Sequence, residues 1–123
     1  MNFEPIKRHY EELQKYRPDD ININKAVSDQ EGTAVFYIDK DSDKVSGLKQ
    51  EIAERLSDGK KVQIEKVEVI VTTLTKEFDQ HKIKDIDFIK VDVEGYEDRV
   101  VAGLDLSVYR PKVILLEYVA PTD

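Results

Sequence analysis

The chain has 123 residues, of which 37% are charged and 40% hydrophobic, with a net charge of -7. This length suits one domain with one core, the absence of cysteine excludes disulfides and thiolate chemistry, and the acidic balance argues against nucleic acid as a partner. No apolar run approaches the ~20 residues of a membrane span, and the first residues lack a signal-peptide pattern, so we expect a cytoplasmic protein without a membrane partner.

The first third of the chain is predicted to form a helix and a pair of strands. Apolar residues at helical spacing predict a helix over residues 5–16, which ends before Pro18 because a residue preceding proline is pushed out of the helical region. Alternating residues predict a short strand over residues 21–27. A turn at 28–32 then leads to a strand over 33–38, which we expect to pair with the first as a hairpin.

The middle third is predicted to form a surface helix, a long strand and a short helix. The surface helix spans residues 46–58, between a capping serine and a terminating glycine. The strand spans residues 62–73 and changes its alternation near Glu65-Lys66, which predicts a bulge there. The short helix begins near Leu74 and is predicted to be capped by Thr75.

The last third reads as a strand, a helix and a second strand. An apolar run over residues 86–93 breaks at Glu94-Gly95, helical spacing begins at Tyr96, and a second apolar run spans residues 113–116. The crossover is long enough to make the two strands parallel. We expect both strands to be buried on both faces.

Acidic residues stand at the carboxyl ends of these two strands, where ligands bind in open parallel sheets. Asp92 and Glu94 follow the first strand, and Glu117 follows the second. Lys90 interrupts the first apolar run, which predicts an interior amine paired with Glu117, or alternatively a lysine on an open sheet edge. Clustered acids on a charged protein are usually solvated, so we predict no metal site.

Three motifs in this region resemble the signature of the FkbM family of S-adenosylmethionine-dependent methyltransferases. They are Lys90-Val-Asp-Val-Glu-Gly-Tyr-Glu, Val100-Val-Ala-Gly-Leu and Arg110-Pro-Lys-Val-Ile-Leu-Leu-Glu, and Phe3-Glu-Pro agrees in order upstream. The resemblance covers nearly the whole chain. It implies an α/β, Rossmann-like class I methyltransferase fold, with a mostly parallel sheet and flanking helices.

The resemblance also implies an incomplete fold. The family's first strand and its glycine-rich turn should precede Phe3, and the five glycines of this chain nowhere form a Gly-x-Gly cluster. The first strand and the last strands are therefore expected to be missing, which makes residues 1–123 a single partial domain. Open strand edges invite a homodimer or a partner fragment.

Site residues follow from the resemblance, position by position. Glu4 corresponds to the acid that binds the cofactor's ribose, although an acid at a helix start is the structural alternative. Ser28 and Asp29 correspond to the adenine contact, with a turn-forming aspartate as the alternative. Asp92 is expected at the cofactor's methyl end or as general base.

Glu94 and Lys90 complete the catalytic candidates, with a turn at Glu94-Gly95 as the structural alternative. Two functions follow. One is methyl transfer from S-adenosylmethionine to a hydroxyl of a small molecule or glycan, such as a sugar or secondary metabolite. The resemblance leaves open whether the shortened chain keeps this activity or has lost it. The other is a non-catalytic α/β interaction module, or one fragment of a split methyltransferase, that dimerises through an open sheet edge.

Overall fold

The computed structural model describes residues 1–40, 64–93 and 95–117. In chain order its elements are β1 (Asn2–Phe3), α1 (Lys7–Tyr16), β2 (Asn22–Ile23), β3 (Ala26–Val27), β4 (Gly32–Asp39), β5 (Ile64–Thr72), α2 (Leu74–Gln80), β6 (Phe88–Val91), α3 (Glu97–Ala102) and β7 (Val113–Leu116). The predicted surface helix over residues 46–58 lies outside the described residues. Within the described ranges, no helix is long and apolar enough to cross a membrane.

The strands form three small sheets. β1 pairs with β2 and β6 pairs with β7, in both cases parallel, whereas β5 lies between β3, to which it is parallel, and β4, to which it is antiparallel. The predicted parallel pair in the last third of the chain is therefore confirmed. The architecture is mixed α/β, but across the described residues the sheet is fragmented instead of continuous and mostly parallel.

Helix α1 matches its prediction closely. Ile6 precedes it with an extended backbone and a side chain that is 4% exposed, and the helix ends at Tyr16, before the Arg17-Pro18 pair. The backbone N–H of Arg17 still donates to the carbonyl of Leu13 at 2.7 Å. The chain turns away at this point because Arg17 precedes a proline.

The strand predicted over residues 21–27 is split into β2 and β3. Asn24 interrupts it, because its side-chain amide donates to the backbone carbonyls of Glu4 and Pro5 at 2.8 and 3.1 Å. Lys25 follows and turns its ammonium group towards Glu77. The Asn24 contacts tie the break to the segment before α1, and the Lys25 contact ties it to Glu77 on the helix that follows β5. On either side of the break, β2 pairs with β1 and β3 pairs with β5.

The hairpin predicted between the first two strands is wrong. β4 pairs with β5, from Gly32 opposite Val71 to Asp39 opposite Ile64, and β5 separates it from β3. The bulge predicted near Glu65-Lys66 is also wrong, because those residues pair one for one with Ile38 and Tyr37. Both are exposed near the end of the strand pair, so a charged side chain on either face needs no bulge to reach water.

Helix α2 is capped by Thr73 and not by Thr75 as predicted. The Thr73 hydroxyl oxygen accepts from the backbone N–H of Lys76 at 3.2 Å. Thr75 instead donates its hydroxyl to the carbonyl of Gly103 at 3.0 Å. The second threonine therefore connects α2 to the end of α3.

One apolar cluster holds the elements together. Its buried members are Leu74, Phe78, Val91, Val100, Leu104 and Tyr109, and the Phe78 and Tyr109 rings meet edge to face at 5.2 Å and 65°. α2, β6 and α3 all contribute to it. This core lies against one face of the β6–β7 pair, the face that carries Val91.

The prediction that β6 and β7 are buried on both faces is wrong. On the face opposite Val91, Phe88 is 54% exposed, Val113 53% and Leu115 51%. Phe88 pairs with Val113 and Lys90 with Leu115, so these four residues form one surface, here named the open face. It is open because the core cluster packs only against the other side of this two-stranded pair.

Candidate functional site

Three of the predicted site residues directly follow strands that end at the same core cluster. Glu4 follows Phe3 at the end of β1, Ser28 follows Val27 at the end of β3, and Asp92 follows Val91 at the end of β6. Val91 belongs to the cluster, and Phe3 and Val27 pack against it. These residues, far apart in sequence, thus each follow a strand whose last residue belongs to one apolar cluster or packs against it, although the three strands lie in three different sheets.

Glu4 has a structural contact at the start of α1. Its Oε1 accepts from the backbone N–H of Ile6 at 2.9 Å and lies 4.0 Å from His9 Nδ1. The side chain is 25% exposed. The described hydrogen bonds engage only Oε1, so the second carboxylate oxygen can accept from a ligand hydroxyl while the first holds the helix start.

The Ser28–Asp29 segment is held by β5 and by an internal contact. The Ser28 backbone N–H donates to the carbonyl of Thr72 at 2.9 Å, which continues the β3–β5 pairing by one residue. The Ser28 hydroxyl donates to Asp29 Oδ1 at 3.1 Å. The Asp29 side chain is exposed. The segment therefore presents a carboxylate to solvent from a backbone that is fixed on one side.

Glu97 organises the turn after Asp92. Its Oε1 accepts from the backbone N–H of Val93 at 3.1 Å and from that of Gly95 at 3.4 Å. Gly95 has a φ of 99°, a conformation that side-chain-bearing residues avoid, so the predicted need for glycine in this turn is confirmed. Asp92 is exposed at the strand end, and Glu94 lies outside the described residues.

The interior amine predicted for Lys90 is wrong, whereas the alternative, a lysine at an open sheet edge, fits its place in the two-stranded sheet that the structure describes. Its side chain is exposed on the open face, beside Leu115, and alternates with the buried Val91. Within the described part of the chain it forms no ion pair with Glu117, whose backbone N–H donates to the carbonyl of Val91 at 3.2 Å. The lysine is accommodated in an apolar strand because this face of the sheet contacts water.

A buried carboxylate escaped the sequence prediction. Glu77 on α2 is 1% exposed, and its Oε1 accepts from Lys25 Nζ at 2.7 Å and from the Thr72 hydroxyl at 2.8 Å. Burial by itself raises the pKa of Glu77, but these hydrogen bonds and the charges of Lys25 and His81 outweigh it and lower the pKa. Through Glu77, this network links Lys25, which precedes β3, to Thr72, which ends β5.

A groove of about 310 Å³ lies along α1. Glu4 lines it, whereas Ser28, Asp29 and Asp92 do not; the other lining residues are His9, Glu12, Leu13, Tyr16 and Arg17. The groove therefore reaches one of the predicted cofactor contacts only. Among the described residues, no three histidine, aspartate or glutamate side chains gather closely enough to hold a metal ion.

Comparison with known proteins places the chain in a family. The family model described as "Methyltransferase FkbM domain" matches residues 1–122. Neither the search of curated proteins nor the search of solved structures finds a significant match. Since the family model spans nearly the whole sequence, the chain belongs to the FkbM family of methyltransferases.

Proposed function

We propose that this chain is an S-adenosylmethionine-dependent methyltransferase domain that methylates a hydroxyl oxygen on a sugar or secondary metabolite. The observation that supports it best is the meeting of β1, β3 and β6 at one core cluster, each followed by a polar residue. Methyltransferases of this family use S-adenosylmethionine. In this proposal, each of the three strand ends contacts a different part of that cofactor.

The side chains present suit the cofactor's polar groups. Glu4 offers a carboxylate oxygen to the ribose hydroxyls, since the described contacts engage only the other oxygen. Asp29 offers an exposed acceptor to the adenine amino group, and Ser28 adds a hydroxyl beside it. Asp92 directly follows β6 and its side chain is exposed, and the proposal assigns it to the methyl acceptor.

Asp92 is the proposed general base. Bound S-adenosylmethionine supplies an electrophilic methyl group, and positioning of the acceptor hydroxyl provides much of the rate. The carboxylate of Asp92 takes the proton of that hydroxyl as its oxygen forms the bond to carbon. Glu94, two residues later, is the alternative acid. Lys90 receives no role in the reaction, because it lies within β6, beside Leu115, and not at the strand end.

Calorimetric titration with S-adenosylhomocysteine tests the proposal. We expect saturable binding by the unmodified chain and weaker binding by Glu4→Gln, which keeps an acceptor for the Ile6 N–H but loses a carboxylate oxygen. Glu12→Gln is the matched control, because it removes the same charge from the groove along α1. Absence of binding at millimolar ligand would refute cofactor use by this chain.

A second candidate function is supported by the open face. Three apolar side chains on this two-stranded surface are each about half exposed, namely Phe88, Val113 and Leu115. An apolar surface of this kind is more stable against another protein than in water. Here the chain acts as an interaction module that associates with a second copy or a partner fragment. Light scattering should then show a dimer that Leu115→Lys dissociates and Leu106→Lys, on another exposed leucine, does not.

A further inference from the structure

Gly103, at the end of α3, lies against the backbone of the Ser28–Asp29 segment. A Cβ built on Gly103 would stand 2.3 Å from the carbonyl oxygen of Ser28 and 3.2 Å from the Cα of Asp29. The φ of Gly103 is -82°, which any residue adopts. Glycine is therefore required here for space and not for backbone conformation, and the atoms it makes room for are backbone atoms that cannot rotate away.

Gly103 is itself fixed by α2. Its carbonyl accepts from the Thr75 hydroxyl at 3.0 Å and from the Thr75 backbone N–H at 3.3 Å. The Thr75 hydroxyl oxygen also accepts from the backbone N–H of Asp105 at 2.8 Å. On its other side, the Ser28–Asp29 segment is bonded to the carbonyl of Thr72. The Ser28–Asp29 segment is thus positioned from two sides: Thr72, at the end of β5, binds it directly, and Thr75, in α2, holds the Gly103 that packs against it.

We propose that Gly103 is a positioning residue that sets the placement of Asp29 and so determines selectivity for adenine. The inference rests on the proposed function, in which Asp29 accepts from the adenine amino group. A carboxylate accepts hydrogen bonds but donates none, so it distinguishes an amino group from a carbonyl at the same ring position. Any shift of the backbone at Ser28 carries the Asp29 carboxylate with it.

The test compares S-adenosylhomocysteine with S-inosylhomocysteine, in which a carbonyl replaces the amino group. The unmodified chain should bind the adenine form about tenfold more tightly. Gly103→Ala should reduce this preference to within about threefold, because the added methyl displaces the segment. Ala102→Gly is the control: it weakens the same helix without adding an atom near Ser28, and its preference should stay at the unmodified value.

A second variant keeps the test decisive if Gly103→Ala fails to fold. Thr75→Val removes the hydroxyl that holds Gly103 and adds no bulk, so it should also lower the preference for adenine. Equal weakening of both ligands, or an unchanged preference in the folded variants, would overturn the positioning role. Failure of the unmodified chain to bind either ligand would instead overturn the proposed function, and the positioning role with it.

Discussion

Lys25 Nζ donates to Glu77 Oε1 at 2.7 Å, and this bond joins the residue before β3 to the buried face of α2. Lys25→Met should destabilise the fold by about 2 kcal/mol, because it leaves a buried carboxylate with one donor fewer. Lys76→Met is the control, since its ion pair with Glu31 joins two exposed side chains and should matter little. Urea denaturation measures the free energy of unfolding of both variants. Equal losses would contradict a larger contribution from the buried Lys25–Glu77 bond.

The same carboxylate predicts a loss of stability in acid. The pKa of Glu77 lies below its ordinary value of 4.5, so near that pH the unfolded chain binds a proton that the folded chain does not. The free energy of unfolding should therefore fall as the pH falls through this range. Glu77→Gln should be less stable at neutral pH, and its deficit relative to the unmodified chain should shrink in acid. A deficit that is constant with pH would contradict this assignment.

Leu104 tests the single core. It is 6% exposed in the cluster that joins α2, β6 and α3, and truncation to alanine should cost about 3 kcal/mol through lost burial and a cavity. Leu106, two residues later, is 48% exposed, and its truncation should stay within about 0.5 kcal/mol. Urea denaturation followed by circular dichroism gives both values. Similar losses for the two leucines would argue against the described cluster.

Asp92 tests the chemistry. Asp92→Asn should lower the rate of methyl transfer about 100-fold or more, because the amide cannot accept the hydroxyl proton, while affinity for S-adenosylhomocysteine changes by less than about threefold. Asp98→Asn, an exposed acid in the first turn of α3, is the control. Transfer of a labelled methyl group to a panel of sugars and polyols provides the assay. An Asp92→Asn variant with full activity would remove the base from the mechanism.

Local patterns predicted local structure well. Helix α1, strand β7 and the parallel pairing of β6 with β7 follow from apolar spacing and crossover length. The partner of β4 could not be predicted in this way, because strands that are neighbours in sequence favour a hairpin, whereas β4 pairs with β5. That choice depends on residues 25 to 39 positions apart, from Asp39 opposite Ile64 to Gly32 opposite Val71, and no local sequence pattern reports on such separations.

Strand ends could be predicted locally, whereas the roles of the residues that follow them could not. The family resemblance named Glu4 and Ser28, the apolar run before it named Asp92, and the roles of all three stay predictions. For Lys90 the sequence left an interior place and an open sheet edge as alternatives, since a lysine in an apolar run reads alike in both, and the side chain is exposed. Glu77 did leave a signal. It is three residues after Leu74, on the apolar side of α2, where a buried acid requires a partner. That partner, Lys25, is 52 residues away.

The most direct test of the account is nuclear magnetic resonance of the labelled chain during titration with S-adenosylhomocysteine. We predict that the backbone amide signals of Glu4, Ser28, Asp29 and Asp92 shift together and give one dissociation constant, because the ends of β1, β3 and β6 would contact one ligand. Signals from the exposed loop around Leu106 should not move. No shift at millimolar ligand, or shifts confined to the groove along α1, would contradict a cofactor site at these strand ends.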